Sequence, residues 1–218
     1  MTDKQWSGLA LIAGSVGMII TMGLHPSGHV SPAEMEPMIR KLIGVHALAL
    51  ASVPVMFIGA WGLSQRGPTK DRMDMAALVF YAFALLEVAN AAVADGLVTP
   101  GILRQMLASA GTPAAVDGWK MLSHYNFFVN QGYAQVFVAS SSVAILLWSV
   151  AMLRKRDSSQ GLAIYGCILG TVTLLALFSG HLRLDTHGFG AVALGQAIWF
   201  IIAGSLLWRS GETISVAA

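Results

Sequence analysis

Residues 123–142 read SHYNFFVNQGYAQVFVASSS, an apolar stretch whose polar members fall on one line. At about 100° per helical residue, His124, Gln131, Gln135 and Ser142 lie within roughly 20° of one another. The segment is apolar enough to cross a bilayer, where polar side chains are costly, so the stripe is expected to face protein or a water-filled cavity. The rest of the chain reads as walls around it.

Composition sets the class. Hydrophobic residues make up 56% of the 218 and charged residues 11%, with a mean hydropathy of +0.67. An ordinary soluble domain carries about 25% charge. The expected fold is all-α: a polytopic integral membrane protein built as a single bundle of six transmembrane helices. The spans run over about 6–24, 42–63, 75–98, 121–153, 160–180 and 188–208, each reaching the length of about 20 residues that a bilayer requires and the fourth exceeding it. The net charge of +2 leaves no nucleic-acid footprint. Cys167 is the single cysteine, which excludes an intrachain disulfide.

Outward from the stripe, the punctuation between spans follows helix chemistry. Ser31-Pro32-Ala33-Glu34 has a cap, a proline at the first helical position and a glutamate at the third, so a short surface helix is expected there. Pro37 is expected to interrupt or restart it, and Pro54 to kink the second span. Gly67-Pro68 sits in a polar linker before the third span. Residues 99–120 read as a longer connection whose GILRQML segment is a partial amphipathic helix at the interface. Arg154-Lys155-Arg156-Asp157 closes the fourth span. Gly166 and Gly170 have a small-xxx-small spacing that permits close helix approach. Trp6, Trp61, Trp119, Trp148 and Trp208 fall near span ends, as an aromatic belt requires. The aromatics Phe127, Phe128, Tyr133, Phe137 and Trp199 read as packing and lipid contact.

Orientation follows from alternate loops. The side of the N-terminus holds eight basic residues (Lys4, Arg66, Lys70, Arg72, Arg154, Lys155, Arg156 and Arg209) against five on the other (Arg40, Lys41, Arg104, Lys120 and Arg183). The positive-inside rule then puts both termini in the cytoplasm, N-in and C-in, in a bacterial inner membrane.

On that topology all six histidines, His25, His29, His46, His124, His181 and His187, fall in outer loops or at the outer ends of spans. Imidazoles and carboxylates gathered at one face suit a transition-metal site, a proton relay or an acid/base site. The expected metal ligands are His46, His124, His181, His187 and Asp185, with Asp185 equally able to orient a neighbouring imidazole. Glu87, in the middle of the third span, and His124 are the expected catalytic pair, because a carboxylate in hydrocarbon must be neutralised, paired or coordinated. Asn90, Gln131 and Gln135 are the expected ligand-binding amides. Asp95 lies close enough to the outer surface to be solvated. For His25 and His29 the i, i+4 spacing resembles a helical metal pair, while Pro26 and Gly28 argue for a loop.

Two family resemblances attach to these residues. Phe83-Ala-Leu-Leu-Glu87, a fourth span opened by His124 with Gly132-Tyr133 further in, and a basic turn leading to Gly161 and Gly170 together resemble uncharacterised bacterial six-helix inner-membrane families, domains of unknown function. That resemblance implies a fold and no activity. His25-xxx-His29 is similar in spacing to the His-xxx-His of the seven-helix zinc hydrolases that include alkaline ceramidases, but here it lies in a loop and one helix is missing.

Three function classes stay open on the residues alone. One is a metal-dependent membrane enzyme using zinc or iron at the outer mouth on a lipophilic small molecule. Another is a proton- or ion-coupled transporter or channel through Glu87 and the striped helix. The third is a haem b or quinone electron carrier, with two of His46, His124 and His181 as axial ligands. A structural bundle is the remaining reading. The lipid bilayer is the expected partner in every case, and a homo-oligomer is compatible with all of them.

Overall fold

Polar residues set where the helices start. Thr2 opens α1 (Asp3–Leu24) with a reciprocal cap, its side chain accepting from the Gln5 backbone while the Gln5 side chain accepts from the Thr2 backbone. Asp71 caps α3 (Arg72–Val93) by accepting from Met73 N at 2.9 Å. Asp185 does the same for α7 (Thr186–Ser215), where Oδ1 accepts from His187 N and Gly188 N. Between these lie α2 (Met35–Ser64), a π-helical turn (Ala94–Val98), α4 (Thr99–Ala108), α5 (Pro113–Lys155) and α6 (Gln160–Phe178). Gly180, at φ 75°, turns the chain out of α6 in a backbone conformation that favours glycine.

The computed structural model describes residues 1–26, 34–66, 71–155 and 159–215. Among them there is no strand, and six helical stretches are long and apolar enough to cross a membrane. His29, the Ser31-Pro32-Ala33 cap, Gly67-Pro68 and Arg156-Asp157 lie outside the described residues.

Several boundaries differ from the sequence reading. Pro37 sits in the first turn of a continuous α2, where its missing N–H would have had no intrahelical partner, so it interrupts nothing. The helix also continues through Pro54. The third span does not end at a long connection. It passes through the π-helical turn into α4, so residues 72–108 form one helical run. Most of the remaining connection belongs to α5, which has 43 residues and is about 65 Å long, about twice the hydrocarbon thickness. α3–α4 and α5 therefore project together beyond the other spans.

The six long helices form a ring in which α1 packs on α2 and α7, α3 on α5 and α2, and α5 on α6, with α6 meeting α7 to close it. Small residues permit the closest contacts. A Cβ at Gly170 would stand 2.9 Å from Ser142 O, and one at Gly166 would run into Ser149 and Trp199, so the glycine pair of α6 lies directly against α5 and α7. Trp148 is not at a membrane interface. It is fully buried and stacked on Trp199 at 6.0 Å, beside Tyr81 and Phe200. Trp6 and Trp61 are half-exposed, as a belt requires.

The end of the bundle that carries both termini is locked by charge. Asp74 is 1% exposed and receives Lys155 Nζ at 2.6 Å and Arg66 Nη2 at 3.4 Å. Lys155 also reaches Asp71 at 3.4 Å. The backbone N–H of Met73, then Lys155, hold the Asp71 carboxyl below the usual range. Ser64 Oγ donates to Asp74 O and accepts from Trp148 Nε1, both at 3.1 Å, which ties α2, α3 and α5 together. Replacing Asp74 by alanine strands two cations beside a buried surface. Because Lys155 keeps some solvent, the expected loss is about 2–3 kcal/mol, below the upper range for fully buried pairs. Ser64→Ala should cost about 1 kcal/mol. Thermal unfolding in detergent checks the order, with Asp74→Ala the more damaging of the two.

Candidate functional site

At the opposite end of the ring three polar side chains meet. His25 is the residue at the C-terminal boundary of α1, His46 lies in α2, and Asp95 stands in the π-helical turn. Asp95 Oδ2 is 3.1 Å from His25 Nε2 and 3.3 Å from His46 Nε2, and the two rings meet edge to face with centroids 5.2 Å apart.

Local structure fixes all three. An extra residue per turn in the π-helical segment shifts Asp95 out of simple α register and leaves Ala94 O to be satisfied in other ways. That carbonyl accepts from Thr99 N, from Asn126 Nδ2 of α5 at 2.9 Å and lies 3.2 Å from Thr99 Oγ1. Thr99 Oγ1 also stands 3.4 Å from Asp95 Oδ1 and 3.0 Å from Asn126 Nδ2. Gly96 is needed for the approach of α2, since a Cβ there would run into Cβ and Cγ of His46. Thr21 Oγ1 joins α1 to α2 through Gly17 O and Val45 O.

Hydrogen bonding decides the electrostatics of this group. His25 Nδ1 is 3.0 Å from Pro26 O and His46 Nδ1 is 2.8 Å from Leu42 O. Carbonyls only accept, so each Nδ1 carries a hydrogen, and in the neutral ring each Nε2 is then a bare lone pair. Two such lone pairs and a carboxylate oxygen point at one another across little more than 3 Å. Acceptors repel, so the arrangement requires a positive charge: a proton on an imidazole or a bound cation. The donor atoms of the three residues lie within 4.8 Å of one another. Tetrahedral ligands at 2.0–2.2 Å stand about 3.3–3.6 Å apart, close to the 3.1 and 3.3 Å that separate Asp95 Oδ2 from the two ring nitrogens.

The group sits at the mouth of a cavity of about 600 Å³ enclosed by α1, α2, α3, α5 and α7. Its walls are mostly apolar, with Met18, Met22 and Met56, six alanines, and Phe137 against Phe189 at 5.6 Å. Polar groups interrupt them. Asn130 Oδ1 is buried with no partner, and Tyr81, 3% exposed, has a hydroxyl with no hydrogen bond among the described residues. Gln131 lines the wall, and Gln196 donates from Nε2 to Ser142 Oγ at 3.2 Å. Arg183 and Asp185 stand 3.8 Å apart at the rim. The backbone N–H of Gly188, then that of His187, hold the Asp185 carboxyl below its ordinary range.

Of the residues expected from sequence, His46, Gln131 and Asp185 line this cavity; Glu87, Asn90, His124, Gln135, His181 and His187 do not. His124 is exposed on the part of α5 that precedes its first buried residue, Ala134. Gln135 is exposed because the cavity face of α5, Phe127, Asn130, Gln131, Ala134 and Phe137, is rotated from the stripe and takes only Gln131 from it. Glu87 is half-buried on α3, about 110° from the face formed by Tyr81, Val88, Ala92 and Asp95. His181 is exposed with Nδ1 2.9 Å from Ser179 Oγ, and His187 is exposed too. Asp185 spends Oδ1 on the start of α7 and orients neither imidazole. His25 was readable as a histidine at a helix end, but its partner Asp95 carried no signal beyond being acidic near the outer surface.

Compared with protein-family models, curated proteins and solved structures, the chain matches none.

Gly96→Ala tests the packing that holds the group. The added methyl must displace His46 from Asp95, so the ring-nitrogen NMR shifts of His46 should change while those of His124 and His181 stay fixed. Unchanged His46 shifts would show that the close approach of Gly96 does not set the imidazole's position.

Proposed function

We propose that His25, His46 and Asp95 hold a divalent transition metal, zinc or ferrous iron, at the mouth of an apolar cavity in a multi-pass bacterial inner-membrane protein. On this reading it is a metal-dependent membrane enzyme acting on a lipophilic small molecule. The observation that carries the proposal is the convergence of two Nε2 lone pairs on one carboxylate oxygen, with both Nδ1 atoms already committed to carbonyls.

Two imidazoles and one carboxylate are a donor set used by catalytic zinc, with a fourth position left for water or substrate, and by non-haem ferrous iron. Such a metal supplies a polarised substrate oxygen and an activated water. The chain's own groups do the rest. Leu42 O and Pro26 O fix the tautomers, and Thr99 with Asn126 steadies the turn that presents Asp95. The apolar wall excludes bulk water and receives the lipophilic part of the substrate. A haem would need its two axial imidazoles on opposite faces of the porphyrin, whereas these two point at the same oxygen. Both termini lie on the cytoplasmic side by the eight-to-five excess of basic residues, which puts the site on the outer face.

Elemental analysis of the purified protein tests the proposal. About one zinc or iron per chain is expected, falling by about tenfold or more in His25→Ala, His46→Ala and Asp95→Asn. Thr99→Val should weaken retention by about tenfold, as loss of an orienting partner does. Glu87→Gln, His124→Ala and His181→Ala should retain the metal. Retention should also fall on acidification through the histidine range, where protons compete for the Nε2 atoms. A metal-free wild type with protonated imidazoles would favour instead a proton-coupled path through the same three residues.

A further inference from the structure

The shape of the cavity says more about its occupant than the donor atoms do. From the polar group to the floor it spans His46 to Met56 on α2 and Phe189 to Phe200 on α7, about 15–16 Å, and Asp95 to Tyr81 on α3, about 21 Å. A sphere of about 600 Å³ would be only about 10 Å across, so the space is drawn out along the helices, a shape that suits an extended hydrocarbon chain.

The lining suits such a guest. Ala49, Ala92, Ala134, Ala193 and Ala197 withdraw side chains from the axis on four helices, so the space exists because small residues were placed along it. Met18, Met22 and Met56 are unbranched and adapt to a flexible neighbour.

A second recess of about 250 Å³ lies in the seam between α1 and α7, formed by Ile19, Met22 and Gly23 opposite Gly190, Ala193 and Leu194. Met22 and Ala193 line both spaces. Leu194 is half-exposed on the outside of the seam. At Gly23 nothing would touch an added Cβ, and at Gly190 only the terminal methyl of Met22 would, at 3.6 Å. Toward this end of α1, Met22 is what Gly190 meets across the seam.

We infer that the cavity takes a single-chain membrane amphiphile, entering through the α1–α7 seam, with its polar headgroup at His25, His46 and Asp95 and its chain running down between the alanines toward Tyr81 and Phe200. The assignment of the headgroup end rests on the metal reading given above. The position of the chain rests on the cavity alone.

A homologous series of straight-chain fatty acids, added to the protein in nanodiscs of a two-chain ether-linked phosphatidylcholine, tests this by native mass spectrometry. One acid per chain is expected at a fixed acid-to-lipid ratio, with occupancy falling beyond the length at which the chain meets the floor, since a chain in lipid gains little by moving into an equally apolar cavity. Ala197→Phe lies about 4.5 Å above the level of Phe200 and Ala193→Phe about 10 Å above it, so the limiting length should shorten by a few carbons in the first and about twice as many in the second. Gly190→Leu should slow uptake of a long acid and leave the limiting length unchanged. A limiting length that ignores both phenylalanine substitutions, or absence of bound acid in a wild type that holds its metal, would overturn the inference while leaving the metal reading intact. Conversely, chain-length limits that shift as expected in a protein without metal would uphold the chain assignment and sink the metal one. Because Phe could misfold the bundle, Ala197→Leu, a smaller filler, should give a smaller shift in the same direction. No shift from a folded Ala197→Leu together with none from Ala193→Phe also counts against it.

Discussion

Helices as apolar as these associate by fit, through small residues that let their backbones approach closely. In this chain that constraint falls hardest on α1, which is clasped between α2 and α7. Gly8 faces the backbone of Gly204, Gly14 and Gly17 meet Met56 and Ser52, and Ser7 abuts Gly62. These contacts close the ring. A closed ring of six helices is too wide for its centre to fill from side chains when those side chains are alanine, and the cavity is the remainder. The end of α1 carries His25, so the same close packing that shuts the ring sets one of the three polar groups over its opening.

The two ends of the bundle solve the problem of buried charge differently. At the end of the termini, Asp74 is matched by Lys155 and Arg66, with Ser64 and Trp148 completing the hydrogen bonds, so the carboxylate is neutralised by fixed cations of the chain. At the other end Asp95 has no lysine or arginine partner within ion-pair distance among the described residues. Its partners are two imidazoles, whose charge depends on what they bind. A fixed ion pair is structural cement. A carboxylate faced by two titratable nitrogens is a position whose charge has been left open, and it stands at the entrance to the cavity.

Much of the fold was legible because length and hydropathy suffice for spans, and the small-residue spacing at Gly166 and Gly170 did mark a close helix contact. Where the reading went astray, the cause is a break in periodicity or a rotation that a sequence does not show. His124, Gln131 and Gln135 do share a stripe, but α5 turns the neighbouring face inward, and only Gln131 reaches the cavity. Glu87 drew attention because a carboxylate in hydrocarbon is costly, yet it lies off the inward face of α3. An uninterrupted α-helix through residue 98 leaves Asp95 near the outer surface with no partner in the sequence pattern. The π-helical turn, unsignalled in composition, and the flat side of Gly96 are what aim it at His46. Trp148 near a span end fits an aromatic belt, whereas it lies buried in the core above the Asp74 lock, stacked on Trp199, which packs there as expected.

The floor of the cavity bears on why it stays open. Tyr81, Trp148, Trp199 and Phe200 interlock with centroid separations of 4.7–6.0 Å, forming a rigid plug across the middle of the ring. Below it the bundle is close-packed around Met152, Leu63 and Ile145, all essentially inaccessible. Above it the walls carry alanine and methionine, and the packing density that a core prefers is given up. A bundle held only by helix fit would gain stability from larger side chains at Ala49, Ala92, Ala134 and Ala197, each of which faces the void. Stability therefore comes from the lower half and from the α1 seams, while the upper half is free to be hollow. That division keeps the contacts that hold the six helices together apart from the space beside the His25–His46–Asp95 group.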